Sequence, residues 1–439
     1  MFNDLRLLRK NPLAFLETSL QSGERIYHLP LRVLDVYILN QPAYIQHVLL
    51  DNHRNYSKDT FQYNLLASIT GRGLLTSDGD FWLRQRRLVQ PAFHRKKITA
   101  FSDIITGATQ SMLGGWEEIR SKGELVDIDA EMMRLTLEIV GKALFSVDLR
   151  IEAQTLTQSV LAALDHLVFR SRNPFSLPNP IPTRRNREFQ AALGQLNRAV
   201  EGIIQARRKS AAQMSDAGDL LELLMNARDP DSGESMDDAQ LRDEIITLLI
   251  AGHETVASAL TWTWCLLAQN PDSGARLRSE LEHQLGGRMP CADDLPNLPY
   301  TQMVFEEALR LYPPAWIITR KALNEDEIDG EKIKPGALIV ISPYTIHRHP
   351  DFWDFPERFQ PERFAAERPA ERPRFAYIPF GGGPRLCIGD SFARVEAQLV
   401  LAAAAQRYQL HLEPGASVEA EPMVTLRPKN GLKMKIGLV

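Results

Sequence analysis

Cysteine is nearly absent from the 439-residue chain: Cys265, Cys291 and Cys387 stand far apart, and no CxxC pair occurs. A disulfide framework and a zinc knuckle thereby find little support, and a reducing compartment fits best. No excess of positive charge exists either, since 51 lysines and arginines face 55 aspartates and glutamates, a formal charge of −4 with histidine neutral. A nucleic-acid binder held by a basic footprint is not expected. Long apolar runs are also missing. The N-terminus is broken by Asp4, Arg6, Arg9 and Lys10, and the apolar stretch Ile245 to Gly252 is bracketed by Arg242, Asp243, Glu244, His253 and Glu254. The expectation is a cytoplasmic chain with neither a signal peptide nor a transmembrane anchor. Repeats and low-complexity tracts are lacking as well. Hydrophobic residues at 44% and charged residues at 24% are ordinary globular usage, which excludes a largely disordered chain.

Helical periodicity dominates the middle of the chain, as in Met132 to Phe145 and Phe189 to Lys209. Strand-like stretches are short and lie towards the ends, at ERIYHLPL and DVYILN early and at Lys334 to Tyr344 and LKMKIGLV late. The pattern predicts a mainly α protein with small accessory sheets. Between two helical runs, RNPFSLPNPIP from Arg172 to Pro182 cannot be helical throughout, because each proline removes a donor and disfavours helix in the residue before it. It is either a plain connector or a mobile lid. One helix stands out: Ser235 can cap a run from Met236 that Asn270 and Pro271 stop. At 1.5 Å per residue it is roughly 50 Å long. Its centre is apolar on nearly all sides and should be buried, yet it carries Gly252, His253, Glu254 and Thr255.

Buried polar groups without partners are costly, so Glu254 and Thr255 need a reason to be there. Thr255 can bond the Ala251 carbonyl one turn back. A zinc site of the HExxH kind fails, because Ala257 stands where the second histidine is required. The functional reading is an opened groove, where Gly252 admits a ligand and an acid beside an alcohol organises water for proton delivery. A second polar segment, FGGGPRLCIGD from Phe380 to Asp390, precedes a helix-like run. Gly381 to Gly383 permit a backbone few other residues follow; Cys387 comes next, then Gly389 at the helix start. A helix N-terminus offers amide donors and lowers a cysteine's pKa, a way to keep Cys387 as a thiolate ligand.

That segment resembles the cysteine-ligand loop FxxGxxxCxG of the cytochromes P450. Glu307 and Arg310 in FEEALRLYPP are similar to the family's ExxR pair, and Pro361 to Phe364 to its PERF segment. AGHET, Ala251 to Thr255, resembles its oxygen-activation site, and Trp82 with Arg86 its WxxxR pattern. All five stand in the family's order, so the resemblance covers the chain from about Gln62 to the end. It implies the P450 fold, a helical prism with small sheets and a long central helix. Residues 1–439 then form a single domain whose β-rich portions lie near 25–50 and 315–345, in place of the three domains that length alone suggests at ~150 residues each.

The resemblance also implies haem b (iron protoporphyrin IX) as cofactor and dioxygen as co-substrate. Cys387 is then the axial thiolate and metal ligand, with Phe380 and Gly389 around the sulfur. Arg86, Arg320 and Arg385 bind the haem propionates with Trp82 as an added donor, and Glu307, Arg310 and Arg363 form a structural charge network. Glu254 and Thr255 hold the water chain that brings protons to oxygen. The implied substrate pocket is lined by Phe61, Leu65, Leu66, Ile250, Ala251, Trp316, Ile317 and Met423, which suits a bulky hydrophobic small molecule. Segments such as TFQYNLLASITGRGLLT and EALRLYPPAWIITR are most similar to the thermophile P450 family that hydroxylates the ring of β-carotene, a carotenoid. A long-chain fatty acid hydroxylase and a haem-thiolate isomerase or dehydratase are the alternatives. Electrons are expected from a separate donor, ferredoxin with ferredoxin reductase, steered to a monomer by Arg84, Arg86, Arg87, Arg95, Lys96 and Lys97.

Overall fold

The computed structural model describes residues 7–31, 34–94, 101–147, 153–173, 176–210, 219–229, 233–366 and 372–439. Helices dominate. Those that position the site are α1 (Phe61–Thr70), α2 (Gly79–Val89), α3 (Ser102–Lys122), α4 (Ile128–Phe145), α5 (Ala153–Arg172), α6 (Arg184–Ser210), α7 (Asp238–Gln269), α8 (Pro299–Leu311) and α9 (Asp390–Ala405). The long central helix expected from the sequence is α7. Its N-cap is Asp237, not Ser235: the Asp237 carboxylate accepts the Gln240 amide at 2.8 Å, while Ser235 pairs in a β-bridge with Arg228. A carboxylate at this position also meets the positive end of the helix dipole.

Helix α7 is buried along nearly its whole length and packs chiefly on α4. Its apolar sides join those of α3, α4, α8 and α9 in the main core. Among the described residues it is the one helix long and apolar enough to cross a membrane, but 83% of its most apolar window is covered by the rest of the fold. One stripe of this helix is polar. Glu254, Ser258 and Trp262 follow one another at i, i+4 and i+8, hence on one face, and all three grip a short C-terminal hairpin described below.

The largest sheet is made of β1 (Ile26–Leu31), β2 (Leu34–Leu39), β3 (Tyr56–Ser57), β4 (Ile318–Ala322) and β5 (Leu338–Ile341), in the spatial order β1-β2-β5-β4-β3. Only β2 and β5 run parallel. The early β-rich portion ends at Leu39, short of residue 50, because Pro42 at a first helical position starts the helix Pro42–Gln46. The later portion near 315–345 matches β4, β5 and the hairpin of Asp326–Ile328 with Glu331–Ile333. Two further sheets near the C-terminus were not all foreseen. Lys433–Leu438 lies between Leu125–Asp127 and Tyr408–Leu412, and β6 (Ala420–Pro422) pairs with β7 (Leu426–Pro428). Three-residue strands are too short to show an alternating pattern.

The described part of the connector after α5 is tied down rather than loose. Arg170 donates to the Leu177 carbonyl at 2.9 Å, Asn186 to those of Pro178 and Ile181 at 2.8 Å each, and Arg172 to Pro422 at 3.1 Å. Residues 174–175 lie outside the described set.

Glu307 and Arg310 form a fully buried pair on α8, 2.7 Å apart. All five guanidinium hydrogens have acceptors: both Glu307 oxygens and the carbonyls of His347, Pro356 and Arg358 at 2.9, 2.6 and 3.0 Å. Glu307 in turn accepts the Gln360 amide at 2.8 Å and lies 3.3 Å from Arg363. Breaking such a pair strands a charge in the core, at a cost of about 3–5 kcal/mol. Arg310→Met is therefore expected to lower unfolding stability by about that much in urea titration; a change below about 1 kcal/mol would mean that segment 347–360 is held without it.

Candidate active site

The loop before α9 is shaped by close approach. Gly381 and Gly383 have φ of +75° and +66°, and a Cβ on Gly383 would fall 1.8 Å from the Leu49 carbonyl oxygen. Only glycine fits there. The loop closes with the Cys387 amide donating to the Phe380 carbonyl at 3.0 Å. The Phe380 ring in turn carries the Arg394 guanidinium 4.8 Å from its centroid.

Cys387 presents accessible surface. Yet burial is the largest influence on its thiol and pushes the pKa up, against the Gly389 amide and the charges of Arg86 and Lys58, which favour thiolate. The expected helix-terminus effect is present through Gly389, but in the protein alone burial outweighs it. The thiolate then depends on a cation meeting the sulfur.

Cations gather near the same loop. Arg385 donates to the Ser77 carbonyl at 2.9 Å, pairs with Asp78 and stacks 3.7 Å from the Trp82 ring centroid. Arg86 donates to the Leu386 carbonyl at 3.1 Å, beside the cysteine. Arg320, buried on β4, bonds the Thr319 carbonyl at 2.8 Å. The residue missed from the sequence is Lys58. It is buried, donates to Leu75 at 2.9 Å, and has its pKa driven far down by burial and by Arg320 and Arg385. Asp78 is the opposing carboxylate that both Lys58 and Arg385 feel. Three crowded cations with one carboxylate suit a ligand carrying further carboxylates.

The described remainder of the basic run is ion-paired. Arg84 pairs with Glu234 at 3.1 Å and Arg87 with Asp229 at 3.2 Å; Arg95, Lys96 and Lys97 lie outside the described residues.

On α7 the structure separates the acid from the alcohol. Thr255 donates to the Ala251 carbonyl at 2.7 Å and keeps some accessible surface. Glu254 is turned to the other side, where it accepts the Thr425 hydroxyl at 2.9 Å. Successive helical residues point about 100° apart, which in this arrangement places the carboxylate and the hydroxyl on different faces. Burial raises the Glu254 carboxyl to about 7, although Arg427 and Thr425 pull it down. His253 is buried and pushed down to about 3, hence neutral. No group of three metal-binding side chains occurs among the described residues.

The expected pocket is only partly enclosed as imagined. Phe61 is 57% exposed at the first turn of α1 and faces solvent, so it does not line an enclosed cavity. Leu66 and Ile250 are core residues, with Leu65 packed beside them. Trp316 packs with Phe15, Val36 and Tyr344 beneath the sheet, Ile317 alongside, and its indole N–H donates to the Met423 carbonyl at 3.0 Å. Ala251, Ile317 and Met423 retain accessible surface.

The glycine constraint gives a direct test. Gly383→Ala should destabilise the chain by about 3 kcal/mol or more, as forced overpacking against backbone does. Gly123→Ala, also at positive φ but with open space around it, should cost about 1 kcal/mol. Equal costs in chemical denaturation would remove the close-approach argument.

Comparison with known proteins places this geometry. A family model described as Cytochrome P450 matches residues 4–436. The chain is 39% identical to cyclooctatin synthase of Streptomyces melanosporofaciens over 96% of its length and 90% of the relative's. It is 34% identical to Protein LUTEIN DEFICIENT 5, chloroplastic, of Arabidopsis thaliana, with 94% and 71% covered. Pentalenene oxygenase of Streptomyces avermitilis is 33% identical, with 98% and 93% covered. Among solved structures, the cytochrome P450DA heme domain superposes with a TM-score of 0.87 at 26% identity, covering 97% of this chain and 93% of that one. With an accessible thiol, a cation cluster near it and a match that runs nearly end to end, this chain belongs to the cytochrome P450 family.

Proposed function

We propose that this P450 monooxygenase inserts one oxygen atom from dioxygen into an isoprenoid hydrocarbon, with the β-carotene ring as the specific carotenoid target. The observation that carries the reading is the convergence of Cys387 with Lys58, Arg320 and Arg385. A haem brings one iron that takes a thiolate and two propionates that take cations, and the residues present fit both needs. Haem b is the form proposed, held without a covalent link. When bound, the cofactor supplies dioxygen activation under a thiolate ligand.

The chain's own residues divide the remaining work. Cys387 would hold the iron, with the Gly389 amide directed at its sulfur. Arg86, Arg320, Arg385 and Lys58 would meet the propionates, and Trp82 would orient Arg385 by stacking. Glu307, Arg310 and Arg363 hold the segment behind the cysteine loop. Oxygen insertion consumes two electrons and two protons for each dioxygen and releases one water. Thr255 would place a hydroxyl at the groove, and Glu254, whose carboxyl has been raised to about 7, would exchange protons near neutral pH.

Substrate class is supported from two sides. The accessible wall residues Ala251, Ile317 and Met423 are apolar. The names of the relatives refer to isoprenoids: pentalenene is a cyclic hydrocarbon and lutein a ring-hydroxylated carotenoid. A further relative, 35% identical, is cyclooctat-9-en-7-ol 5-monooxygenase of Streptomyces melanosporofaciens. The family requires a redox partner; ferredoxin with its reductase is the one proposed, serving a single-domain, cytoplasmic monomer.

Two measurements test this. The reduced protein under carbon monoxide should give the red-shifted Soret band of thiolate ligation, and its absence would overturn the assignment of Cys387. Incubation with ferredoxin, its reductase and, in parallel, β-carotene, a cyclic diterpene alcohol and palmitate should yield hydroxylated isoprenoid; turnover of palmitate alone would replace the substrate class. In the same assay Thr255→Ala should lower product per electron consumed by about 100-fold, the low end for loss of a positioned proton donor. Unchanged coupling would remove the hydroxyl from the proton path.

A further inference from the structure

We infer that Thr425 is a positioning residue for proton delivery, holding the Glu254 carboxyl until substrate shifts the turn between β6 and β7. The inference rests on the proton role proposed for Glu254. Its ground is the set of partners that this one turn collects. Pro422 accepts from Arg172 at the end of α5, at 3.1 Å, and Met423 accepts from the Trp316 indole at 3.0 Å. Thr425 donates to Glu254 at 2.9 Å, and the Leu426 carbonyl accepts Ser258 at 2.6 Å and the Trp262 indole at 2.8 Å. The segment is closed on itself by the Met423 amide, which donates to the Thr425 carbonyl at 3.1 Å. A displacement at Met423 is therefore transmitted to Thr425 within the same turn.

The two ends of the turn differ in what holds them. At Leu426 two donors from α7 fix the backbone to the polar stripe of that helix, and the Leu426 amide is bonded to Pro314 at 3.1 Å. Met423 keeps accessible surface and is bonded to Trp316 and within the turn rather than to α7, so a substrate meeting it would act on the end that α7 does not fix. Glu254 sits on the same stripe as the fixed end, and its hydrogen bond to Thr425 is the contact that a tilt of the turn would lengthen. The charged neighbours are Arg427 on β7, which is paired with Asp129 on α4, and neutral His253 on α7 itself. Arg427 and Thr425 favour the carboxylate; burial and Asp129 favour the acid. Releasing Thr425 thus shifts Glu254 towards the protonated form as its side chain becomes free to turn to the groove. There it gives a proton to the water beside Thr255 and becomes a carboxylate, which takes a replacement proton from solvent-derived water.

The test uses the haem-loaded enzyme with its reductase system and a turned-over isoprenoid, comparing Thr425→Val, Thr425→Ser and Glu254→Gln with the unaltered chain. Infrared difference spectra between substrate-bound and substrate-free enzyme should contain a protonated-carboxyl band that Glu254→Gln abolishes. That band should respond to substrate in the unaltered chain and in Thr425→Ser. In Thr425→Val it should already be present without substrate, and coupling of electrons to product should fall several-fold. The decline of coupled turnover with rising pH should begin at higher pH in Thr425→Val, since loss of the donor raises the carboxyl pKa. A Thr425→Val enzyme identical to the unaltered chain in band and pH profile would overturn the inference while Glu254→Gln still uncouples. Full coupling in Glu254→Gln would overturn the proton role of Glu254, and this inference with it.

Discussion

The cysteine loop depends on a hydrogen-bonded chain that starts from the buried Glu307–Arg310 pair. Arg310 fixes the His347 carbonyl, and the His347 ring then accepts the Ile378 amide at 2.8 Å. Ile378 accepts the Gly381 amide at 3.0 Å, and Phe380 accepts that of Cys387. Each link is local, but together they carry position from α8 to the sulfur. The ring nitrogen of His347 can accept only if it is unprotonated. Burial, Arg310 and Arg348 hold its pKa far below the ordinary value, so the acceptor persists across the working range of pH. Burial first, with Arg310 and Arg348 adding to it, therefore keeps the next link an acceptor while the ion pair fixes its place.

Much of this was legible in the sequence because the motifs are local. Glu307 and Arg310 are one turn apart on a helix, and the segment from Phe380 to Gly389 is short enough for its glycine and cysteine spacing to specify a loop. The exposed Phe61, the core-bound Leu66 and the N-cap at Asp237 were not legible, since burial and capping depend on neighbours rather than on residue type. Lys58 and Thr425 were missed for a different reason. A lysine followed by an aspartate reads as surface, and a threonine in a C-terminal turn reads as nothing; their partners are brought to them only by the fold. The acid–alcohol reading of α7 placed Glu254 and Thr255 side by side, whereas helical geometry turns Glu254 onto the stripe of Ser258 and Trp262.

That stripe changes what α7 does. A buried helix with a polar centre could be a groove wall alone, but here one face keeps accessible surface at Ala251 and Thr255 while the other binds β6 and β7. The hairpin is bonded at one end to α7 and at the other to α5 and Trp316, so these few turns of α7 are joined through it to the segments before and after the sheet.

The charge balance carries the last step. The chain as a whole is close to neutral, yet Lys58 is buried close to Arg320 and Arg385, and burial with these two charges holds its pKa well below the ordinary value. A ligand carrying carboxylates would favour the charged form of Lys58 and meet Arg320 and Arg385 as counter-charges. Whatever binds only the folded chain also stabilises it, so the same cluster that selects the cofactor makes the completed protein more stable than the chain without it.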